Sequence, residues 1–307
     1  MKSYSDIAGD GGSNVVGQVI AQQEAIAAAL AGVRRRLAVA SGKGGVGKST
    51  LTMGLARALA RRGRRVAILD ADFNGPSPAQ LAGLAGHPWV PGLRGLTLPR
   101  RPDGIGVVSL GGPLAAGAEL RFDTVSHGDQ HTWRATREFA MLGQLLGAVD
   151  WGEQDVLLFD LPPGAERTVQ YAEFLGPETE LLVVTIPSDL AHGVVARSLA
   201  ALAGGGSRVL GTVENMAGYW CADCRAVRPL FPQSTADLGV PRLGRVPFDP
   251  RLAALCDRGW PVDEEPAVEP DGTGALAAID RIAARLDGAP ADPTSPAPSH
   301  PDPESPR

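Results

Sequence analysis

The run Ser41-Gly42-Lys43-Gly44-Gly45-Val46-Gly47-Lys48-Ser49-Thr50 holds a complete G-x-x-x-x-G-K-[ST] phosphate loop with a second lysine inside it. A loop of this kind works where a buried strand hands over to a helix, so it commits this part of the chain to a strand, loop and helix in that order. The flanks agree. Leu37 to Ala40 form an apolar run entering the loop, and Leu51, Leu55, Ala58 and Leu59 recur at helical spacing after it. Gly42, Gly44, Gly45 and Gly47 let the backbone turn its N–H groups inward around phosphate oxygens, with Val46 and Thr50 completing the cradle. Lys48 is placed to reach the β- and γ-phosphates. Ser49 is placed to offer its hydroxyl to Mg²⁺, and the helix starting there points its positive dipole end at the same anion.

Beyond the loop, short apolar runs alternate with helical patterns. Strands are predicted at 37–41, 65–69, 106–110, 155–159, 181–186, 208–213 and 242–246, and helices at 49–62, 136–146, 190–203, 250–258 and 274–286. The pattern predicts an α/β fold of the P-loop NTPase type: a mainly parallel, doubly wound sheet flanked by helices in a single domain, with ligands at the strands' carboxyl ends. Residues 1–35 read as a Gly/Ser/Asp-rich leader followed by an Ala-rich helix over 19–35. Residues 36–287 read as the ATPase domain, and 288–307, with seven prolines from Pro290 to Pro306, as a disordered tail. The triplet Arg34-Arg35-Arg36 is expected to be a solvated helix end.

The net charge of −5 gives no basic face for nucleic acid, and no apolar segment is long enough to cross a membrane. No secretory signal pattern is present, so the expected location is the cytoplasm. Three cysteines, Cys221, Cys224 and Cys256, cannot form a disulfide framework for 307 residues and are expected to be reduced.

Two further strands deliver carboxylates to their carboxyl ends. The first ends in Leu69-Asp70-Ala71-Asp72-Phe73-Asn74-Gly75-Pro76-Ser77. There Asp72 is a candidate to orient the attacking water, and Asp70 to hold a Mg²⁺-bound water, unless the segment is simply an Asp-rich turn. The second, Val156-Leu157-Leu158-Phe159, ends in Asp160-Leu161-Pro162-Pro163-Gly164, which makes Asp160 an outer Mg²⁺ ligand and the stiff turn after it a sensor of the γ-phosphate.

With these three segments in order, the chain resembles the deviant Walker A ATPases, the group that contains MinD, ParA and the nitrogenase iron protein. Lys43 is the deviant lysine. The resemblance implies that it reaches across a nucleotide-sandwich homodimer to the partner's phosphates, which makes Lys43, Lys48 and Asp72 the expected catalytic residues. Chemically it is a second cation near a polyanion, with a solvent-facing role as the alternative.

The segment Val213-Glu214-Asn215-Met216-Ala217-Gly218-Tyr219-Trp220-Cys221-Ala222-Asp223-Cys224 supplies two closely spaced thiols. Two thiolates can grip one soft metal centre from one side, whereas iron–sulfur cubes and structural zinc usually take four ligands, a number that two copies of the chain would supply. A Cys₄ zinc clasp, a redox dithiol or two uncommitted thiols are the alternatives. Cys256 reads as a small buried hydrophobe, and Tyr219 and Trp220 either shield a metal centre or pack the core.

Together with Asp-Leu-Pro-Pro-Gly and Asp-Ala-Asp-Phe-Asn-Gly-Pro-Ser, this segment looks like the Mrp (ApbC-type) iron–sulfur cluster carrier ATPases. The likeness extends over 36–262, including Val183-Val184-Thr185-Ile186-Pro187 and Leu243-Gly244-Arg245-Val246-Pro247-Phe248-Asp249-Pro250. It implies ATP and Mg²⁺ as cofactors, a [4Fe-4S] cluster at Cys221 and Cys224 bridging two subunits, and apo iron–sulfur proteins as acceptors. It also implies adenine contacts from Asn215, Pro247 and Asp249. The chain departs from the pattern at Ala165-Glu166-Arg167, where relatives read Thr-Gly-Asp, and after Cys224, where a glycine-rich segment is missing. Such departures suit a specialised paralogue. The competing functions are a MinD- or ParA-like regulatory or positioning switch, against which the absence of a basic amphipathic C-terminal helix argues, and a metal-insertion ATPase.

Overall fold

The computed structural model describes residues 15–73, 78–113, 130–204, 206–230, 237–263 and 274–288. The leader over 1–14, the end of the carboxylate turn at 74–77 and the proline-rich tail after 288 lie outside the described residues.

The element order is α1 (Val15–Ala29), β1 (Arg36–Ser41), α2 (Lys48–Arg61), β2 (Val66–Asp70), α3 (Pro78–Leu81), β3 (Pro91–Gly92), β4 (Gly95–Thr97) and β5 (Gly106–Val108). There follow α4 (Gln130–Ala148), β6 (Val149–Asp150), β7 (Val156–Asp160), α5 (Ala165–Leu175), β8 (Thr179–Thr185) and α6 (Asp189–Gly204). The last are β9 (Val209–Cys221), β10 (Ala226–Arg228), β11 (Arg242–Phe248), α7 (Pro250–Asp257) and α8 (Ala275–Gly288). Eight strands make the main sheet in the order β10-β9-β8-β1-β7-β2-β5, with β11 also paired to β9. Every pairing in it is parallel except the β9–β10 hairpin.

Strand periodicity decides what lies on each face. In β1 Leu37 and Val39 join one core while Ala38 and Ala40 join the other; in β7 Val156 and Leu158 oppose Leu157 and Phe159 in the same way. The first core is closed by α2, α7 and α8, with Trp260 fully buried in it. The second is closed by α4 and α5 and contains Trp151 and Tyr171. Because strands covered on both faces need apolar residues at successive positions, these runs were readable as continuous stretches rather than as alternation.

Four expectations need correction. The helix expected over 19–35 ends at Ala29, and Arg34-Arg35-Arg36 is not a solvated helix end: Arg34 pairs with Asp155, Arg36 opens β1 and pairs with Glu178, and Arg35 pairs with buried Glu180. Arg35 also donates to the Leu286 carbonyl, tying the last helix to the sheet. The strand expected over 208–213 continues to Cys221, and α5 occupies a stretch in which no helix was expected.

Leu158 is wholly buried in the centre of the sheet. Leu158→Ala should lower the unfolding free energy by about 2–5 kcal/mol in urea titrations. Leu93→Ala, at a fully exposed position, should stay within about 0.5 kcal/mol of the parent.

Candidate functional site

The phosphate loop leaves β1 and enters α2 through Gly47, which has φ 79° and occupies the helix's N-cap position without any side-chain cap. No acidic residue stands in the first turn of α2, so nothing within the helix caps its leading N–H groups where they meet the loop. A β-carbon at Gly47 would lie 2.3 Å from the Asn215 amide nitrogen. Glycine here therefore meets both a left-handed backbone and a close neighbour. That neighbour is structural: the Asn215 side-chain amide donates to the Val46 carbonyl at 2.7 Å, fastening the loop to β9.

Asp160 is fully buried and gathers the start of α2 around it. Its carboxylate accepts from Lys48 Nζ at 2.8 Å, Ser49 Oγ at 2.6 Å and Thr52 Oγ1 at 2.9 Å. Lys48, itself buried, thereby has its charge compensated before any phosphate arrives. Asp70 is the register partner of Asp160 on the adjacent strand. It accepts from Ser109 Oγ at 2.7 Å and from the Asp72 backbone N–H at 3.0 Å. Burial, and then the nearby Asp160 charge, push the Asp70 carboxyl well above the usual carboxylate range, an arrangement that an arriving divalent cation would reverse. Ser49, Asp70 and Asp160 thus converge as the donor set expected for Mg²⁺, with one hydroxyl and two carboxylates at the strands' carboxyl ends.

Gly42, Gly44, Gly45, Val46 and Thr50 lie along the same loop and first helical turn, and Lys43 is half-buried on it. The turn after Asp160 closes over the loop. Gly164 N–H donates to the Ser41 carbonyl at 2.8 Å, and Pro163 is 3.8 Å from the place a Gly44 β-carbon would occupy. Pro247 is buried. Asp249 caps α7 by accepting from Arg251 N and is further engaged by the Arg251 guanidinium. Its carboxylate is therefore committed to the fold, a cap that the Asp-Pro sequence could have signalled.

Cys221 ends β9 and Cys224 sits in the turn that leads to β10. Strand alternation settles the roles of the aromatics beside them. Trp220 turns into the core and lies under Arg251, whereas Tyr219 shares the outward face with Cys221 and stacks on Phe248 at 6.4 Å. Cys224 is exposed. A hydrogen bond with the Cys221 thiol, and then one from the Arg228 guanidinium, hold its pKa below the ordinary thiol value. Cys256 is buried in the first core, as expected, and burial pushes its thiol up. Among the described residues no three metal-ligating side chains cluster within the one chain.

Sheet order, phosphate loop and convergent carboxylates define a P-loop NTPase of the deviant Walker A kind. The chain belongs to the family described as ParA, the NUBPL iron-transfer P-loop NTPases, whose profile matches residues 32–286. It is 35% identical over 235 residues to the iron-sulfur cluster carrier protein of Saccharolobus solfataricus, covering 75% of this chain and 76% of that one. It is 37% identical over 279 residues to the human cytosolic Fe-S cluster assembly factor NUBP2, covering 85% and 96%. Among solved structures, the nucleotide-binding protein from Archaeoglobus fulgidus in complex with ADP and cobalt superposes with a TM-score of 0.66 at 33% identity, covering 79% of this chain and 93% of that one. The septum site-determining protein MinD from Pyrococcus horikoshii, complexed with Mg-ADP, shares the fold at 22% identity and a TM-score of 0.55, over 83% and 96%. The expected ATPase class and α/β architecture are borne out.

Lys48→Ala should abolish nucleotide binding in calorimetric titration with ATP. It should also destabilise the free protein by about 3–5 kcal/mol, because Asp160 keeps a buried charge without its cation; unchanged ATP affinity would refute the assignment. The thiols give a second expectation. Since the Cys224 pKa is lowered, more of it is thiolate at neutral pH than for an ordinary cysteine. Iodoacetamide should modify Cys224 well before Cys256, with a pH midpoint that moves upward in Arg228→Ala.

Proposed function

We propose that the chain is an ATP-driven iron–sulfur cluster carrier: two copies assemble a [4Fe-4S] cluster between their Cys221 and Cys224 thiolates and deliver it to apo-proteins in the cytoplasm. The observation that carries this reading is β9. One strand holds Asn215, which is hydrogen-bonded to the phosphate loop, and farther along it Cys221, so a shift of the loop has a short route along β9 to the thiols. Met216 and Gly218, with φ of 54° and 106°, bend the strand between the two, where its register with β11 shifts.

The thiol chemistry supports a shared site. The half-buried Cys221 and the exposed Cys224 sit on one hairpin with no third ligand clustered beside them among the described residues, and a second hairpin related by a two-fold axis would supply the remaining pair. The names of the relatives from Saccharolobus solfataricus and human point the same way, and the human one is called cytosolic. No helix among the described residues is long and apolar enough to cross a membrane.

In the nucleotide site Lys48 holds the β- and γ-phosphates, and Lys43 serves those of the partner copy. Ser49, with Asp160 and Asp70 behind it, would hold Mg²⁺, which would supply neutralising charge to the phosphates. Asp72 orients the water that adds to the γ-phosphorus as its bond to the β–γ bridging oxygen breaks, giving ADP and phosphate. Asn215, with the turn at Pro247 and Asp249, borders the adenine. Because Pro247 and Asp249 turn their side chains inward, that turn contributes main-chain groups.

Anaerobic reconstitution of the full chain tests this. About four irons and four acid-labile sulfides per two chains are expected, and both should be lost in the Cys221→Ala, Cys224→Ala double variant while ATP binding persists. Zinc alone would make the hairpin a structural clasp. No metal at all would favour a regulatory switch.

A further inference from the structure

The departure at Ala165-Glu166-Arg167 has a structural counterpart. Arg167, on the first turns of α5, is paired with buried Glu138 of α4 and lies over the ring of Tyr171, its guanidinium carbon 5.5 Å from the centroid. Arg167 Nη2 also stands 3.5 Å from the Tyr171 hydroxyl. Tyr171 is wholly buried, packs against Phe139 at 4.8 Å between centroids, and donates its hydroxyl to the Ala71 carbonyl at 3.2 Å.

That carbonyl belongs to the peptide joining Ala71 to Asp72. The N–H of the same peptide donates to Asp70 Oδ1 at 3.0 Å, and the preceding N–H, that of Ala71, donates to the Asp160 carbonyl at 3.0 Å. The peptide plane that sets the direction of Asp72 is therefore held at both ends, by Asp70 on one side and by Tyr171 on the other. Tyr171 rides on α5, whose start is fixed to the phosphate loop through Gly164 N–H and the Ser41 carbonyl.

We infer that Tyr171, held in place by Arg167 and Glu138, is a positioning residue for Asp72, linking the turn over the phosphate loop to the carboxylate that orients the attacking water. Arg167 here braces a tyrosine from behind the site, a role that short polar residues at these positions could not fill. The role presupposes the assignment of Asp72 proposed above, and the test separates the two.

Tyr171→Phe keeps the ring against Phe139 and removes only the hydroxyl. In the full-length protein with Mg-ATP, kcat should fall about 3- to 10-fold, the loss of one buried hydrogen bond felt in the transition state. KM and the affinity for ADP should stay within about twofold. Arg167→Lys, which keeps a cation over the ring, should retain more of kcat than Arg167→Ala. In an Asp72→Asn background, measured by single turnover, Tyr171→Phe should cost less than about twofold, since residues acting through one another are not additive. An unchanged kcat in Tyr171→Phe beside an impaired Asp72→Asn would overturn the positioning role and leave Asp72 as assigned. The same fold loss in both backgrounds would also overturn it. Wild-type turnover in Asp72→Asn would instead remove the role of Asp72 and, with it, what Tyr171 is inferred to position.

Discussion

The pairing of Asp160 with Lys48 is the contact on which the rest of this molecule depends. A carboxylate with no solvent exposure is costly unless its charge is met, and here a lysine ammonium and the hydroxyls of Ser49 and Thr52 meet it. The same set of bonds does three things. It joins β7 to the first turn of α2, it fixes the Lys48 ammonium at the carboxyl end of that strand, and it holds the Ser49 hydroxyl beside the carboxylate. Nucleotide and Mg²⁺ therefore enter a site whose charges are already arranged, which lowers the ordering cost of binding. Asp70 stands beside Asp160 on the adjacent strand, and burial, then the Asp160 charge, raise its carboxyl above the usual range.

From that centre the protein reaches outward along two routes. One is β9, from the Asn215 contact with Val46, through the bend at Met216 and Gly218, to the cysteine hairpin. The other is the turn at Pro162, Pro163 and Gly164, which leads into α5 and returns through Tyr171 to the peptide before Asp72. Both routes begin at backbone atoms of the phosphate loop, the Val46 and Ser41 carbonyls. A shift of this loop would pull on both, and segments near a phosphate are recurrent switch elements.

Much of the fold was legible in the sequence because buried parallel strands are continuous apolar runs and the glycine-rich loop dictates its own flanks. Val156 to Asp160 could be read this way, carboxylate included. What escaped was set by contacts distant along the chain. Asn215 and Val46 are 169 positions apart, and nothing local in the segment reveals that its amide would fasten the loop. The extension of β9 to Cys221 depends on pairing with β10 and β11 across a bend at a glycine and a left-handed methionine. Helix α5 follows two prolines and a glycine, which read as a turn, and its polar first turns hide the apolar side formed by Tyr171 and Ala172. Arg35 looked like surface charge because its partner, Glu180, lies on a strand 145 positions away. The segments that carry the phosphate loop, the carboxylates and the thiols could be marked in the sequence, but not the bonds that connect them.

In the proposed carrier, the cysteine hairpin makes half of a site that a second copy completes. Native mass spectrometry of the anaerobically reconstituted full-length protein measures this most directly, since it weighs chains and inorganic atoms in one species. Two chains carrying a single set of about four irons and four sulfides are expected, with cluster-free protein when both thiols are replaced. A single chain bearing a complete cluster, or dimers in which each chain holds its own, would contradict it.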